Sequence, residues 1–548
     1  MFTGFSGGRW VMVFAAVYSG TRAIGQQLLI DPDLLRGQDA QDWMGRVVRE
    51  VGDVNADGIP DFAASTFRYG TDDPGKPDYV RVYSGRDGSV LQQVNGFIAA
   101  ELFGYSLDGI GDANEDGHCD WIVGAPGGVF NGPESGFACV VSGLDASILY
   151  FITGDQPRMR MGGRCSAAGD VDRDGASDFM IAYWEPRAWG GVWPEVDILS
   201  GRTGDSLHEL SGEEADDLFG YALDVVSDLD GDGVDDHLVG CPGNTVYSEP
   251  GMVSVFSGAD GTLLWRWYGD EDGDLFGYSA ANAGDVDADG FCDVIVGANQ
   301  TPTCGLHDDV PSPLPGYVKV FSGRDGSVLN HWVGEFAGDN FGWSVNAAGD
   351  ANGDRHGDLL VGVPHFDIEK ETRRQSGVFG DNTGKVYLYS GKTGMLLYDW
   401  TGTRAEGSHF GWSVSTAKDL NEDGFSDVLA GYNHDVTDPA RTGSVRVFGG
   451  NDLFLNAIPS VWIAEQKFSL ISGEGIPGNL VLVAIVAVND RATFIPYQWA
   501  TLDSFGRARI EGSVPTIPVM QTVTFQAFTT HSQGQVIDSA EERVVLDE

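Results

Sequence analysis

Seven nine-residue segments of this chain carry oxygen side chains at positions 1, 3, 5 and 9. In order these are Asp53, Asn55, Asp57, Asp61; Asp112, Asn114, Asp116, Asp120; Asp170, Asp172, Asp174, Asp178; and Asp228, Asp230, Asp232, Asp236. Then come Asp285, Asp287, Asp289, Asp293; Asp350, Asn352, Asp354, Asp358; and Asp419, Asn421, Asp423, Asp427. The chemistry such a set can do is to hold a hard cation. Calcium takes about 6–8 oxygens at roughly 2.3–2.6 Å, and four side chains with a position-7 carbonyl supply most of that shell. Magnesium, which keeps a stricter, water-rich octahedron, suits the loops less well. For any one loop the alternative is an acidic solvated turn; seven copies in register favour calcium.

The loops are not equivalent. The third, fourth and fifth have Asp at position 3 and are expected to bind best. Asn55, Asn114, Asn352 and Asn421 give up a charge but not an oxygen. Gly at position 6 lets the backbone take positive φ and fold round the ion. The sixth loop has Arg355 there, and an L-residue in that conformation costs about 1–2 kcal/mol, so its site is the least secure. Affinities of extracellular grade, roughly 10⁻⁴–10⁻³ M at the weak end, are expected.

The elements that must position these loops also repeat. About eight residues before each stands an aromatic residue or Met followed by Gly: Met44, Phe103, Met161, Phe219, Phe276, Phe341 and Phe410 begin the pairs. A short alternating stretch runs from the pair into the loop. After the loop comes an apolar run closing in small residues, as in Trp121 to Pro126 and Leu359 to Pro364. A variable segment follows, then a strand ending in Ser-Gly, such as Val318 to Gly323, a tight turn, and a last strand such as Val328 to Val333. Each unit therefore holds four short strands, A to D, with period-two patterning and Gly-marked turns. Seven units of about 60 residues with four strands each fit propeller blades better than solenoid coils. The aromatic of each pair is expected to wedge between blades as core, with no ligand role. The stretch Gln27 to Ile30 reads as a D strand that closes blade 7, although Leu453 to Leu455 could fill the same place.

The order Phe-Gly, then Asp-x-Asp/Asn-x-Asp-Gly-x-x-Asp, then Gly-Ala-Pro resembles the FG-GAP repeat of the integrin α-subunit β-propeller and its secreted bacterial relatives. The resemblance covers roughly residues 40 to 450. It implies a seven-bladed propeller whose acidic loops join strands A and B and bind calcium, with protein ligands recognised by loops on the opposite face. Nothing in the chain matches integrin stalk domains or a transmembrane helix.

The 548 residues suffice for one large repeat domain and a small one, with 42% hydrophobic residues to build cores. The net charge is −48, from 81 acids against 33 bases. About a third of those acids lie in the seven loops, and the surface stays acidic even when every loop is loaded. Such a field repels nucleic acid and anionic membranes. At the N-terminus Arg9 precedes the apolar run Trp10 to Tyr18 and the small-x-small stretch Ala23 to Gly25, the pattern of a secretory signal peptide, with a buried first strand as the alternative. No later stretch is long enough for a membrane helix. Six cysteines with no CxxC make zinc unlikely; disulfides and free buried thiols both stay open.

The expected architecture is all-β: a signal peptide over 1–25, a seven-bladed propeller over 26–452, and a small β-sandwich-like domain over 453–548, where seven short strand-like stretches follow one another. The expected location is secreted, extracellular or at the cell surface, with the periplasm open. The long B–C segments are the candidate recognition loops. In blade 3, Trp184, Trp189 and Trp193 could stack on a sugar or anchor a protein partner, or else fold over the propeller as local core. The ten His recur at no fixed blade position, and no HExxH or GxSxG is present. The expected function is calcium-dependent recognition of an extracellular protein or glycan without catalysis. The alternatives are a secreted enzyme acting on polysaccharide or phosphoester, and a structural cell-surface component.

Overall fold

The computed structural model describes residues 28–39, 42–68, 75–186, 192–213, 217–243, 250–300, 314–367, 382–402, 409–432 and 442–450, with short strands within 2–13 and 460–545. Chain contacts divide it into two units, residues 28–450 and a second made of 1–27 with 451–548.

The first unit is a ring of antiparallel sheets. Six have four strands and the seventh has three. Blade 5 shows the plan: A is Phe276–Gly284, B is Asp293–Ala298, C is Tyr317–Phe321 and D is Val328–Val333. Strand B lies between A and C, and its faces lie against neighbouring blades. It is therefore buried along its whole length, as is Asp236–Cys241 in blade 4 and Asp358–Val363 in blade 6. That is why these strands read as continuous apolar runs. Strand D is the edge and alternates between exposed and half-buried.

The Phe-Gly pair and the small-residue end of strand B meet across the seam between blades. Phe103, Phe219, Phe276, Phe341 and Phe410 are all buried. A Cβ on Gly240 would stand 2.4 Å from the Gly277 carbonyl oxygen, and one on Gly297 would stand 2.2 Å from that of Gly342. The two glycine signatures thus serve one purpose, contact of backbone with backbone. Serines two residues beyond the pair lace the same seam: Ser279 Oγ donates to Gly342 O at 2.8 Å and Ser344 Oγ to Gly411 O at 3.0 Å.

Blade 7 supplies only Phe410–Lys418, Asp427–Tyr432 and Ser444–Phe448. Its missing edge comes from the start of the unit. Leu28 bridges antiparallel to Phe448, Leu29 N–H donates to Val447 O at 3.1 Å, and Arg36 bridges to Ser444. A 3₁₀ turn, Pro32–Leu35, drops Leu35 into the core with Leu429, Val445 and Val447. Of the two sequence candidates for closing the ring, the N-terminal segment is the one seen here; Leu453 to Leu455 lie outside the described residues.

A circuit of side chains surrounds the axis at the start of the A strands. Trp412 lies 4.6 Å from Trp343, Trp343 5.0 Å from Tyr278, and Tyr278 4.9 Å from Tyr221. Arg164 stands over Tyr221 and Tyr105, at 4.3 and 5.2 Å. Arg46 completes the circuit over Tyr105 at 5.7 Å and Trp412 at 4.7 Å.

The second unit shows only short pairings, including Phe2–Ser6 with Arg9–Val13, Ser460–Ile463 with Gln466–Ser469, and Thr522–Gln526 with Glu541–Val545. The expected C-terminal sandwich lies largely outside the described residues. Cys119, Cys139, Cys165, Cys241 and Cys292 are free thiols, and Cys304 falls outside the described residues. Among the described residues no helix is long and apolar enough to cross a membrane.

Candidate metal centres

All seven acidic segments join strand A to strand B, and all fold the same way. In the fourth, Asp228 Oδ1 accepts from Asp232 N–H at 3.0 Å and its Oδ2 from Gly233 N–H at 2.7 Å. Asp230 Oδ1 also accepts from Asp232 N–H, and Asp232 Oδ1 from Val234 N–H at 2.8 Å. The same bonds recur in the first loop through Asp53, Asn55 and Asp57, and in the seventh through Asp419, Asn421 and Asp423. Each short acid thus winds the backbone round its neighbours, so that positions 1, 3 and 5 converge.

Two backbone positions make that winding possible. Position 6 is left-handed throughout, from Gly58 at φ 88° to Gly424 at φ 90°. Arg355 is held there too, at φ 67°, so the sixth loop carries the expected strain. Position 4 is left-handed as well, as in Ala56, Glu115, Arg173, Ala288 and Glu422. Sequence reasoning missed that, because no glycine marks it in most copies.

Carboxylate oxygens come within 4.8 Å of one another in three loops: Asp170, Asp172 and Asp178; Asp228, Asp230 and Asp232; Asp285, Asp287 and Asp289. These are the loops with Asp at position 3. The clusters suit a divalent cation: all donors are oxygens, and opposite charge would relieve the crowding of like charges.

Position 9 has a second duty. Asp236 is fully buried; its Oδ2 accepts from Leu229 N–H at 2.8 Å and its Oδ1 from Gly258 N–H at 3.1 Å. It therefore ties the A–B loop to the C–D turn. Asp61, Asp120, Asp178, Asp293, Asp358 and Asp427 do the same, reaching Gly85, Gly143, Gly201, Gly323, Gly391 and Gly450. Burial pushes these carboxyls up, to about 6 for Asp236, about 7 for Asp293 and Asp427, and about 8 for Asp358.

Basic side chains from the C–D turns reach the loops. Arg86 Nε lies 3.2 Å from Asp57 Oδ2 and Arg202 Nε 2.6 Å from Asp174 Oδ2. The Arg86 hydrogen bond holds the Asp57 carboxyl below its usual range. A further acid escaped the sequence reading. Asp42, Glu101 and Asp274 each stand two residues before an aromatic- or Met-Gly pair and cap the preceding turn. Asp274 Oδ2 accepts from Asp270 and Glu271 N–H at 2.9 and 3.2 Å. The signal, an acid at a fixed offset before the pair, was present in the sequence, but its role needed the turn it caps.

In blade 3 the strands extend into a hairpin, Asp178–Pro186 with Val192–Leu199. The Trp184 ring covers Gly163, where a Cβ would stand 2.0 Å from it. Trp193 is half-buried, and Trp189 lies outside the described residues.

Fold and loops together define a seven-bladed β-propeller with an acidic loop at every A–B turn. The FG-GAP repeat family matches residues 219–256, 341–389 and 410–448. Integrin alpha-5 of Xenopus laevis is 30% identical over 212 residues, which is 36% of this chain and 20% of that protein. The matched region thus spans about a fifth of that relative's length. The rhamnogalacturonan lyase YesW aligns over 76% of this chain and 72% of its own at TM-score 0.39 and 12% identity. The V. cholerae biofilm matrix protein Bap1 aligns over 78% of this chain and 91% of its own at TM-score 0.41 and 12% identity. Three of the seven blades thus carry matches to the FG-GAP repeat, and the propeller resembles that of integrin α subunits.

Proposed function

We propose that this is an exported, calcium-binding propeller that recognises an extracellular protein or glycan and performs no catalysis of its own. In this reading residues 1–25 are a signal peptide, 26–452 the propeller and 453–548 a separate β-sandwich-like domain. The seven A–B loops hold calcium through the Asp and Asn oxygens at positions 1, 3, 5 and 9. The ion supplies positive charge where carboxylates crowd, and its binding free energy adds to folding free energy.

The observation that carries this reading is the sevenfold tie at position 9. It sets every acidic loop against its own C–D turn, so the loops act as staples on one rim. The B–C segments, at the other end of the strands, are then free to vary and to recognise a ligand, with Trp184, Trp189 and Trp193 as candidate contacts. The likeness to an integrin α subunit supports recognition over catalysis.

The test is calorimetric melting with and without calcium, followed by binding of the calcium-loaded protein to arrays of extracellular proteins and glycans. Melting unchanged by chelation would remove the calcium claim. Cleavage of an arrayed polysaccharide or phosphoester by the loaded protein would replace recognition with catalysis.

A further inference from the structure

We infer that the axial cavity inside the aromatic circuit binds the carboxylate of an acidic sugar residue. The cavity has a volume of about 170 Å³ and lies at the start of the A strands, the end away from the acidic loops. The inference deepens the recognition reading and rests on it for the face involved.

The chain has only 33 basic residues against 81 acids, yet Arg46, Arg49 and Arg164 from blades 1 and 3 all line this one cavity. Arg49 has a partner: its Nε lies 3.9 Å from Asp108 Oδ1, deeper along the axis. Arg46 and Arg164 have none. Among the described residues neither forms an ion pair, and both belong to the innermost layer of the propeller. A partly buried guanidinium without a counterion is costly. Faces of Tyr and Trp, and a Tyr105 side-chain hydrogen bond to Arg164, offset part of that cost, but they bring no opposite charge.

Arg164 donates through Nε to Tyr221 O at 2.7 Å and through Nη1 to Gly163 O at 2.8 Å, which fixes its fork. Arg46 and Arg164 both stand over the Tyr105 ring, at 5.7 and 5.2 Å. Two like charges held beside one ring repel each other, and a shared anion turns that repulsion into attraction. A carboxylate is the planar anion that two guanidinium forks receive best.

The shape of the cavity selects the body that carries the carboxylate. The cavity holds more than the side chain of Asp or Glu, and Tyr278, Trp343 and Trp412 form a continuous aromatic arc on its far side. An arc of rings facing two guanidiniums suits a ring-sized ligand with one apolar face and one acid group. The carboxylates Asp108 and Asp224 follow the lining residues Leu107 and Leu223 along their A strands and lie near Arg49, so the acid group is confined to the level of Arg46 and Arg164. Ser166 Oγ and Asn282 N–H hold those two carboxylates in place, at 2.8 and 2.9 Å.

The experiment is titration of the calcium-loaded full chain with galacturonate and with galactose, read by calorimetry and by tryptophan fluorescence from Trp343 and Trp412. Galacturonate is expected to bind and galactose to bind at least tenfold more weakly. Arg46→Gln is expected to weaken galacturonate at least tenfold, and to leave calcium binding unchanged. Arg164→Gln should do the same; Arg46→Gln keeps the test valid if the loss of the Tyr221 and Gly163 hydrogen bonds unfolds the Arg164 variant. Binding that survives both substitutions places galacturonate elsewhere and overturns the assignment. Equal binding of galactose overturns the role of the carboxylate. Tighter binding of N-acetylglutamate amide than of galacturonate overturns the sugar in favour of an acidic protein side chain. A protein that binds arrayed ligands but not galacturonate loses this assignment alone, whereas one that binds galacturonate but no arrayed ligand loses the broader recognition reading.

Discussion

Arg202 Nε lies 2.6 Å from Asp174 Oδ2, and the same guanidinium reaches Glu115 in the loop of the preceding blade. One arginine thus spans two acidic loops. It also occupies one oxygen of the position-5 acid, beside the place an ion would take. Arg202→Ala should leave the melting of the calcium-free protein nearly unchanged, because the pair is exposed and screened. It should tighten calcium binding at the third loop, most clearly at low salt, because a competing positive charge is gone. Calorimetric titration of both proteins checks this; weaker binding in the variant would mean that the arginine organises the site.

The position-9 acids should behave differently from the other loop acids. Asp236→Ala leaves the Leu229 and Gly258 N–H groups without acceptors in a buried place, which costs about 2 kcal/mol or more. That loss should appear even in chelator. Asp232→Ala removes an oxygen from an exposed loop, together with the Val234 hydrogen bond it accepts, and should lower stability much more with calcium than without it. Denaturant melts of the two variants, each with and without calcium, separate the two roles.

The loops should also rank. Asp232→Ala is expected to lower calcium-dependent stability more than Asp354→Ala does, because the sixth loop carries Asn352 at position 3 and a strained Arg355 at position 6. Arg355→Gly should stabilise the protein by about 1 kcal/mol through relief of the left-handed strain. A melting temperature that falls on that change would show that the Arg355 side chain contributes more than its backbone costs.

Closure of the ring predicts a long-range effect of the first residues of the propeller. Leu35 is fully buried against Val445 and Val447 of blade 7. Leu35→Ala should cost about 2–5 kcal/mol, the range for a core leucine. An unaltered denaturant midpoint would mean that another segment closes blade 7.

Asp224 supplies a pH test. It accepts from Val225 N–H at 2.8 Å and Asn282 N–H at 2.9 Å, and burial pushes its carboxyl up to about 7. Its folded value lies above its unfolded one, so the folded state binds the extra proton between about pH 4 and 7. Its contribution to stability is greatest below pH 4 and is lost as pH rises through 7. Asp224→Asn should therefore be less sensitive to pH than the parent protein between pH 5 and 8. Parallel melting curves for the two would refute this.

The seven acidic loops, their register with the Phe-Gly pairs and the four-strand unit were legible because each is local. Carboxylates at fixed spacing, period-two strands and turn glycines act within a few residues of one another. The sequence also ranked the loops, since Asp or Asn at position 3 and Arg355 at position 6 are local facts. What it could not give were relations between blades. The small glycine that ends strand B and the glycine of the next Phe-Gly pair, such as Gly297 and Gly342, looked like separate signatures until the ring brought their backbones together. Leu28 and Phe448 lie at opposite ends of the unit and pair only because the ring closes. Arg46 and Arg164 sit more than a hundred residues apart and share the Tyr105 ring only because seven A strands converge on one axis. Side chains that meet through a symmetry of the fold carry no short-range mark, and only the tertiary structure decides which of them become neighbours.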